Sequence, residues 1–151
     1  MLTKIPSGLD EIIETYGPLT DANFESKYLT SFDLPYTLFY EGKPVNRTRC
    51  HKLAVENFVQ AFKNLMDAGL ADQFTEYNGI YAHRSIRGHI GHPSLHSWGV
   101  AGDFMASKYP LASLKRWPDA IIKCWQDAGF FYGGDFKSRR DPMHVQLATH
   151  Y

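Results

Sequence analysis

His96 and Asp103 close the stretch Ser94-Leu95-His96-Ser97-Trp98-Gly99-Val100-Ala101-Gly102-Asp103, and His144 ends a second motif, Asp141-Pro142-Met143-His144. Two imidazoles and a carboxylate form a ligand set of catalytic zinc sites, in which a fourth position stays open for water. Asp141, three residues before the last histidine, is then a spare carboxylate able to take a proton from that water. The chemistry implied is metal-assisted hydrolysis, because zinc lowers the pKa of bound water to about 7 and polarises a carbonyl. A nucleophilic triad can be drawn from Ser94, His96 and Asp103. Their short spacing argues against it, and it would leave Asp141-x-x-His144 without a role.

Three ligands must converge from a rigid frame. The spacing predicts a strand over residues 100–106, with Asp103 on the face opposite Val100, Gly102 and Phe104. A second strand over residues 143–147 would turn Val145 and Leu147 to the core and His144 and Gln146 the other way. Gly99, Ala101 and Gly102 are small, as expected if that backbone passes close under a metal. Residues 85–94 carry Arg87, Gly88, His89, Gly91, His92 and Pro93, and read as a polar loop over a cleft. His83, His89 and His92 are expected to touch substrate or solvent rather than metal.

The remaining elements read as a frame. Ser7-Gly8-Leu9-Asp10 matches a capping pattern, with Leu9, Ile12, Ile13 and Tyr16 at helical spacing up to Gly17-Pro18. Residues 19–29 should form a loop with a short helical turn. Phe32, Leu34, Tyr36, Leu38 and Tyr40 alternate as in a strand, and Pro35 marks it as an edge or a bulge. The clearest helix runs from about His51 to Ala68, with a stripe of Val55, Phe58, Val59, Phe62, Leu65 and Met66 and a stop at Gly69. One or two strands are expected over residues 74–84. A last helix begins at Pro118, buries Ile121, Ile122 and Trp125, and stops at Gly129; residues 130–134 should be a strand.

With 151 residues the chain reads as one domain, residues 1–31 forming a helical extension to a core over 32–151. Sixteen basic residues balance sixteen acidic ones, so charge gives no reason to expect nucleic acid or an acidic membrane as partner. A content of 10 Phe, 9 Tyr and 3 Trp favours an aromatic-walled groove, to which Trp98 and Phe131 could contribute. The two cysteines, Cys50 and Cys124, form no CxxC and read as buried free thiols. No apolar run is long enough for a signal peptide or a membrane span. Synthesis in a cytoplasm is therefore expected, with any action outside it depending on separate release or export; a monomeric state is expected as well.

The pattern Ser94-x-His96-x-x-Gly99-x-Ala101-x-Asp103, followed by Asp141-x-x-His144, resembles the signature of the peptidoglycan-cleaving zinc peptidases. That group includes D-alanyl-D-alanine carboxypeptidases and the L-alanyl-D-glutamate endopeptidases of bacteriophage endolysins. Gly79-x-Tyr81-x-x-Arg84, Arg87-Gly88 and Gly133-Gly134-Asp135-Phe136 are similar to further segments of it, so the resemblance spans about residues 32–147. It implies an α+β fold in which a small antiparallel sheet carries the zinc site and packs against two or three helices, as in the hedgehog signalling domain. His96, Asp103 and His144 would bind one zinc ion, and Asp141 would be general base and acid. Many members have Glu there, though the endopeptidase branch often uses Asp. Arg84 would hold the substrate carbonyl or its oxyanion, with Arg87 in reserve, and Ser94 would order the loop beside His96. The implied partner is a peptidoglycan stem peptide, cut at L-Ala-D-Glu or, in the alternative, at D-Ala-D-Ala. A third reading, a binding module that keeps zinc for structure, is opposed by Asp141 and Arg84, which a structural site would not need.

Overall fold

Apolar side chains of the two longest expected helices pack on one side of a small sheet, and a cavity opens over the other. A computed structural model describes residues 1–86 and 88–151, so the expectation for Arg87 lies outside the described residues. Helix α1 (Gly8–Tyr16) buries Ile12 and Tyr16. The Ser7 hydroxyl pairs with His150 Nδ1 at 2.7 Å instead of capping the helix, and the Ser7 N–H donates to Glu11 Oε1 at 3.1 Å. The carboxylate that reaches back is therefore Glu11, one residue beyond the expected Asp10. A short helix α2 (Phe24–Tyr28) leads into a long hairpin of β1 (Leu29–Tyr40) and β2 (Lys43–His51). Their antiparallel register slips between Asp33 and Leu38, around Pro35, which has no N–H to give to a ladder.

Helix α3 (Val55–Asp67) follows a 3-10 turn and buries Phe58, Ala61, Phe62 and Leu65, whereas Met66 stays exposed. It ends where the Leu70 N–H returns to the Leu65 carbonyl at 2.8 Å, with Gly69 at φ +71° in the left-handed region expected of a C-terminal glycine. Strand β3 (Tyr77–Gly79) is all that forms of the strands expected over 74–84. Residues 85–94 hold a small hairpin, β4 (Ser85–Ile86) with β5 (His89–Pro93), where the sequence suggested a loop. Glycines and exposed polar side chains hide such a hairpin from any alternation rule. Strand β6 (Ala101–Phe104), helix α4 (Asp119–Asp127), β7 (Phe131–Tyr132) and β8 (His144–Gln146) complete the order.

The central sheet runs β3-β6-β8-β7, with every neighbouring pair antiparallel. One face packs on α3 and α4: Phe104 of β6 lies 5.7 Å from Phe62 and 5.1 Å from Trp125, ring centre to ring centre. Aromatic pairs at these separations add roughly 0.5–1.5 kcal/mol each beyond the area they bury. The fold is α+β, a small antiparallel sheet against helices α1, α3 and α4, as expected. Residues 1–31 are less an extension than a third side of the core. Ile12 and Tyr16 are fully buried in the same cluster as Phe58 and Val145, and the Tyr16 hydroxyl donates to the Leu147 carbonyl at 2.7 Å. No described helix is long and apolar enough to cross a membrane.

Candidate metal centre

The antiparallel register sets Asp103 of β6 directly opposite His144 of β8. Opposed residues on one face of a sheet hold their Cβ atoms about 4.5–5.5 Å apart. Their side chains therefore meet on the face turned away from α3 and α4. His96 arrives from the 3-10 turn Leu95–Trp98 that precedes β6, and the Ser94 hydroxyl accepts from the His96 N–H at 3.3 Å. Ser94 thus ties down the start of the turn that carries His96. The backbone then doubles back at Gly99, φ +71°, where an added Cβ would lie 2.7 Å from the His51 nitrogen. At Gly102 a Cβ would crowd Phe104 and Phe58. These two residues are small because β2 and α3 press on them; the expected approach under a metal is not the reason.

The hydrogen bonds leave one nitrogen of each imidazole facing Asp103. His96 Nδ1 lies 2.7 Å from the Ile80 carbonyl, which can only accept, so Nδ1 carries the proton and Nε2 is bare in the neutral ring. That Nε2 lies 3.2 Å from Asp103 Oδ2, buried and without a hydrogen bond. His144 Nε2 lies 2.9 Å from Gln146 Oε1, and the Gln146 amide in turn donates to the Ala148 carbonyl at 2.9 Å. His144 Nδ1 is left 2.9 Å from Asp103 Oδ1. One ligand atom from each of the three residues lies within 4.8 Å of the others, and no other such group of three occurs among the described residues.

The charges agree with this arrangement. Burial alone would raise the Asp103 pKa, but the His144 hydrogen bond and the two imidazoles beside it outweigh burial and hold the carboxyl well below its usual range. Burial likewise opposes a charge on His144, and Asp103, Asp141 and Gln146 overcome it, so its pKa is raised. A buried carboxylate between two imidazole nitrogens, of which His96 Nε2 has no hydrogen bond, suits a divalent cation better than an empty cavity. The residues present therefore fit a zinc ion.

The Asp141–His144 turn is held from several sides. Asp141 donates its N–H to the Gly133 carbonyl at 3.0 Å, the His144 N–H returns to the Asp141 carbonyl at 3.0 Å, and the Tyr132 hydroxyl donates to the Pro142 carbonyl at 2.8 Å. The partly buried Asp141 places Oδ2 3.9 Å from His144 Nδ1. A cavity of about 610 Å³ opens over the cluster, with Arg84, Ser94, Phe131, Phe136 and Lys137 among its lining. The exposed Arg84 enters its wall on backbone tied to the His96 turn: its N–H donates to Ser97 Oγ at 3.0 Å and its carbonyl accepts from the Ser94 N–H at 2.8 Å.

A family model described as D-alanyl-D-alanine carboxypeptidase matches residues 88–147. The matched stretch, under half of the chain, carries His96, Asp103, Asp141 and His144 and stops short of Arg84 upstream. Comparison with curated proteins and with solved structures gives no match. Among the described residues expected at the site, Trp98 lies away from the cavity. Its side chain is 1% exposed, its indole N–H donates to the Gly17 carbonyl at 2.9 Å, and its ring meets Tyr151 edge-on, so it belongs to the core and not to the groove. Trp125 is likewise core, while Phe131 does line the cavity. His89 and His92 border the cavity from β5. Two contributors escaped the sequence reading. Gln146 shares its face with His144 two residues away, a signal that was present; Ile80 acts through its carbonyl, which no sequence pattern announces.

Proposed function

We propose that the protein is a zinc-dependent peptidase that hydrolyses stem peptides of bacterial peptidoglycan, with the L-alanyl-D-glutamate bond as target. The observation that carries this reading is the pair His96 Nε2 and Asp103 Oδ2, facing each other at 3.2 Å with no hydrogen bond between them, beside a second carboxylate in an open cavity. His96 through Nε2, His144 through Nδ1 and Asp103 through its carboxylate would hold the ion. Zinc, when bound, supplies Lewis acidity toward water and toward a substrate carbonyl. Asp141 takes the proton of the attacking water and returns it to the departing amine, work that contributes typically 10²–10⁴-fold. Arg84, through its planar guanidinium, holds the carbonyl oxygen as negative charge grows on it. The partly enclosed cavity strengthens each of these interactions by thinning the water around them.

The family match favours a second reading within the same chemistry, removal of a terminal D-alanine. Purified protein incubated with cell wall, with the fragments weighed by mass spectrometry, separates the two. A new N-terminal D-Glu supports the endopeptidase, loss of terminal D-Ala supports the carboxypeptidase, and an undigested wall sinks both. The variant Asp141→Asn is expected to retain zinc and lose hydrolysis by about 100-fold or more. If it stayed fully active, Asp141 would not be the base.

A further inference from the structure

The two imidazoles of the cluster are held in opposite senses, and by different kinds of partner. His96 is fixed through Nδ1 by a main-chain carbonyl, Ile80 O at 2.7 Å, an arrangement no side-chain substitution at residue 80 can remove. His144 is fixed through Nε2 by a side chain, Gln146 Oε1 at 2.9 Å. Gln146 is 5% exposed, and its own amide nitrogen is anchored on the Ala148 carbonyl at 2.9 Å. The anchor decides which end of the amide faces the ring. A carbonyl accepts only, so the NH₂ group turns to Ala148 and the oxygen turns to His144.

We propose that Gln146 is a positioning residue: by accepting the Nε2 proton of His144 it holds the ring with Nδ1 aimed at the space beside Asp103, and so sets the affinity of the cluster for zinc. The inference rests on the zinc-peptidase reading and names a residue that acts on the metal only through His144. His144 Nδ1 and Asp103 Oδ1 already share a hydrogen bond at 2.9 Å, so a cation must take the place of the Nδ1 proton. Gln146 gives the ring a second proton site: when Nδ1 gives its proton up, Nε2 keeps one and donates it to the buried Gln146 oxygen. Without that acceptor the buried Nε2–H would have no partner in the cation-bound state, which is costly. The ring could also turn, and Nδ1 would lose its aim at the space beside Asp103. Partners that orient ligand histidines in this way are typically worth 10–100-fold in metal affinity.

Two variants test it. Gln146→Met keeps volume and removes the acceptor; Gln146→Glu keeps an oxygen acceptor toward the ring. The first readout is zinc affinity, measured by competition against a chromogenic chelator. Gln146→Met is expected to weaken binding about 10–100-fold, and Gln146→Glu to recover it to within about threefold of the wild type. The second readout is the ring ¹⁵N–¹H signals of His144 in zinc-loaded protein. They should show a slowly exchanging Nε2 proton in the wild type and in Gln146→Glu, and a rapidly exchanging one in Gln146→Met. A zinc-loaded wild type whose His144 carries its proton on Nδ1 overturns the proposal without recourse to any variant. So does a Gln146→Met protein that binds zinc within about twofold of the wild type. Because neither readout uses hydrolysis, both stand apart from the wall-digestion assay. A wall left intact with zinc affinity and ring signals as expected would sink the peptidase and not the positioning role.

Discussion

At His96 the arrangement is settled by which atoms can give a proton. The Ile80 carbonyl takes the only one a neutral ring has, and the bare Nε2 is pressed against a carboxylate whose charge its surroundings preserve. A cation relieves that opposition, so binding should stabilise the folded chain. Zinc at a hundred times its dissociation constant adds about 2.7 kcal/mol, which for a chain of this size is a rise in melting temperature of roughly 5–11 °C. Differential scanning calorimetry with and without zinc checks this, and His96→Ala should abolish most of the shift. That His96, Asp103 and His144 come together was readable from residue type and spacing. Their tautomers were not, because they depend on Ile80, Gln146 and Ala148, two of which act through main-chain atoms that carry no residue identity.

Among the elements, the turn between Asp141 and His144 carries the tightest constraint. Gly133 packs under it so closely that a Cβ would stand 2.4 Å from the Asp141 carbonyl and 3.1 Å from that of His144. Both contacts are to main chain, which cannot swing aside as a side chain can. Gly133→Ala should therefore push the turn off β7, lowering zinc affinity and wall hydrolysis together while the far-ultraviolet circular dichroism stays close to the wild type. A variant with unchanged zinc affinity would show that the turn has room to move. Helices α3 and α4 were legible because their apolar stripes repeat at helical spacing. Strand β2 was not expected at all, since Lys43, Pro44, Asn46, Arg47 and Arg49 are exposed and no alternation marks it. Its place is set by β1, a partner that sequence periodicity does not see.

Taken as a whole, the chain closes through its N-terminal residues. The Tyr16 hydroxyl reaches the Leu147 carbonyl just past β8, the Trp98 indole reaches the Gly17 carbonyl, and His51 Nε2 pairs with the Tyr16 carbonyl at 2.8 Å. Removing residues 1–23 would uncover Trp98 and strip the fully buried Ile12 and Tyr16 from the core. Truncating one buried aliphatic or aromatic side chain to alanine already costs about 2–5 kcal/mol, against a total stability of about 5–15 kcal/mol. The truncated chain is expected to lose its cooperative thermal transition and its zinc affinity. A well-folded, zinc-binding product would instead make residues 1–31 the separable extension that their lack of a counterpart in the resembled family suggested.

Trp98 lies two residues beyond His96 on the same short turn, yet its ring is locked under the N-terminal segment while the imidazole faces the cavity. A change that loosens residues 1–17 is therefore expected to reach His96 through Trp98. On the proposed zinc reading, partial unfolding at that edge would free a bound ion while α3 and α4 are still folded, which would make zinc retention a gauge of whether the chain's first residues are in place.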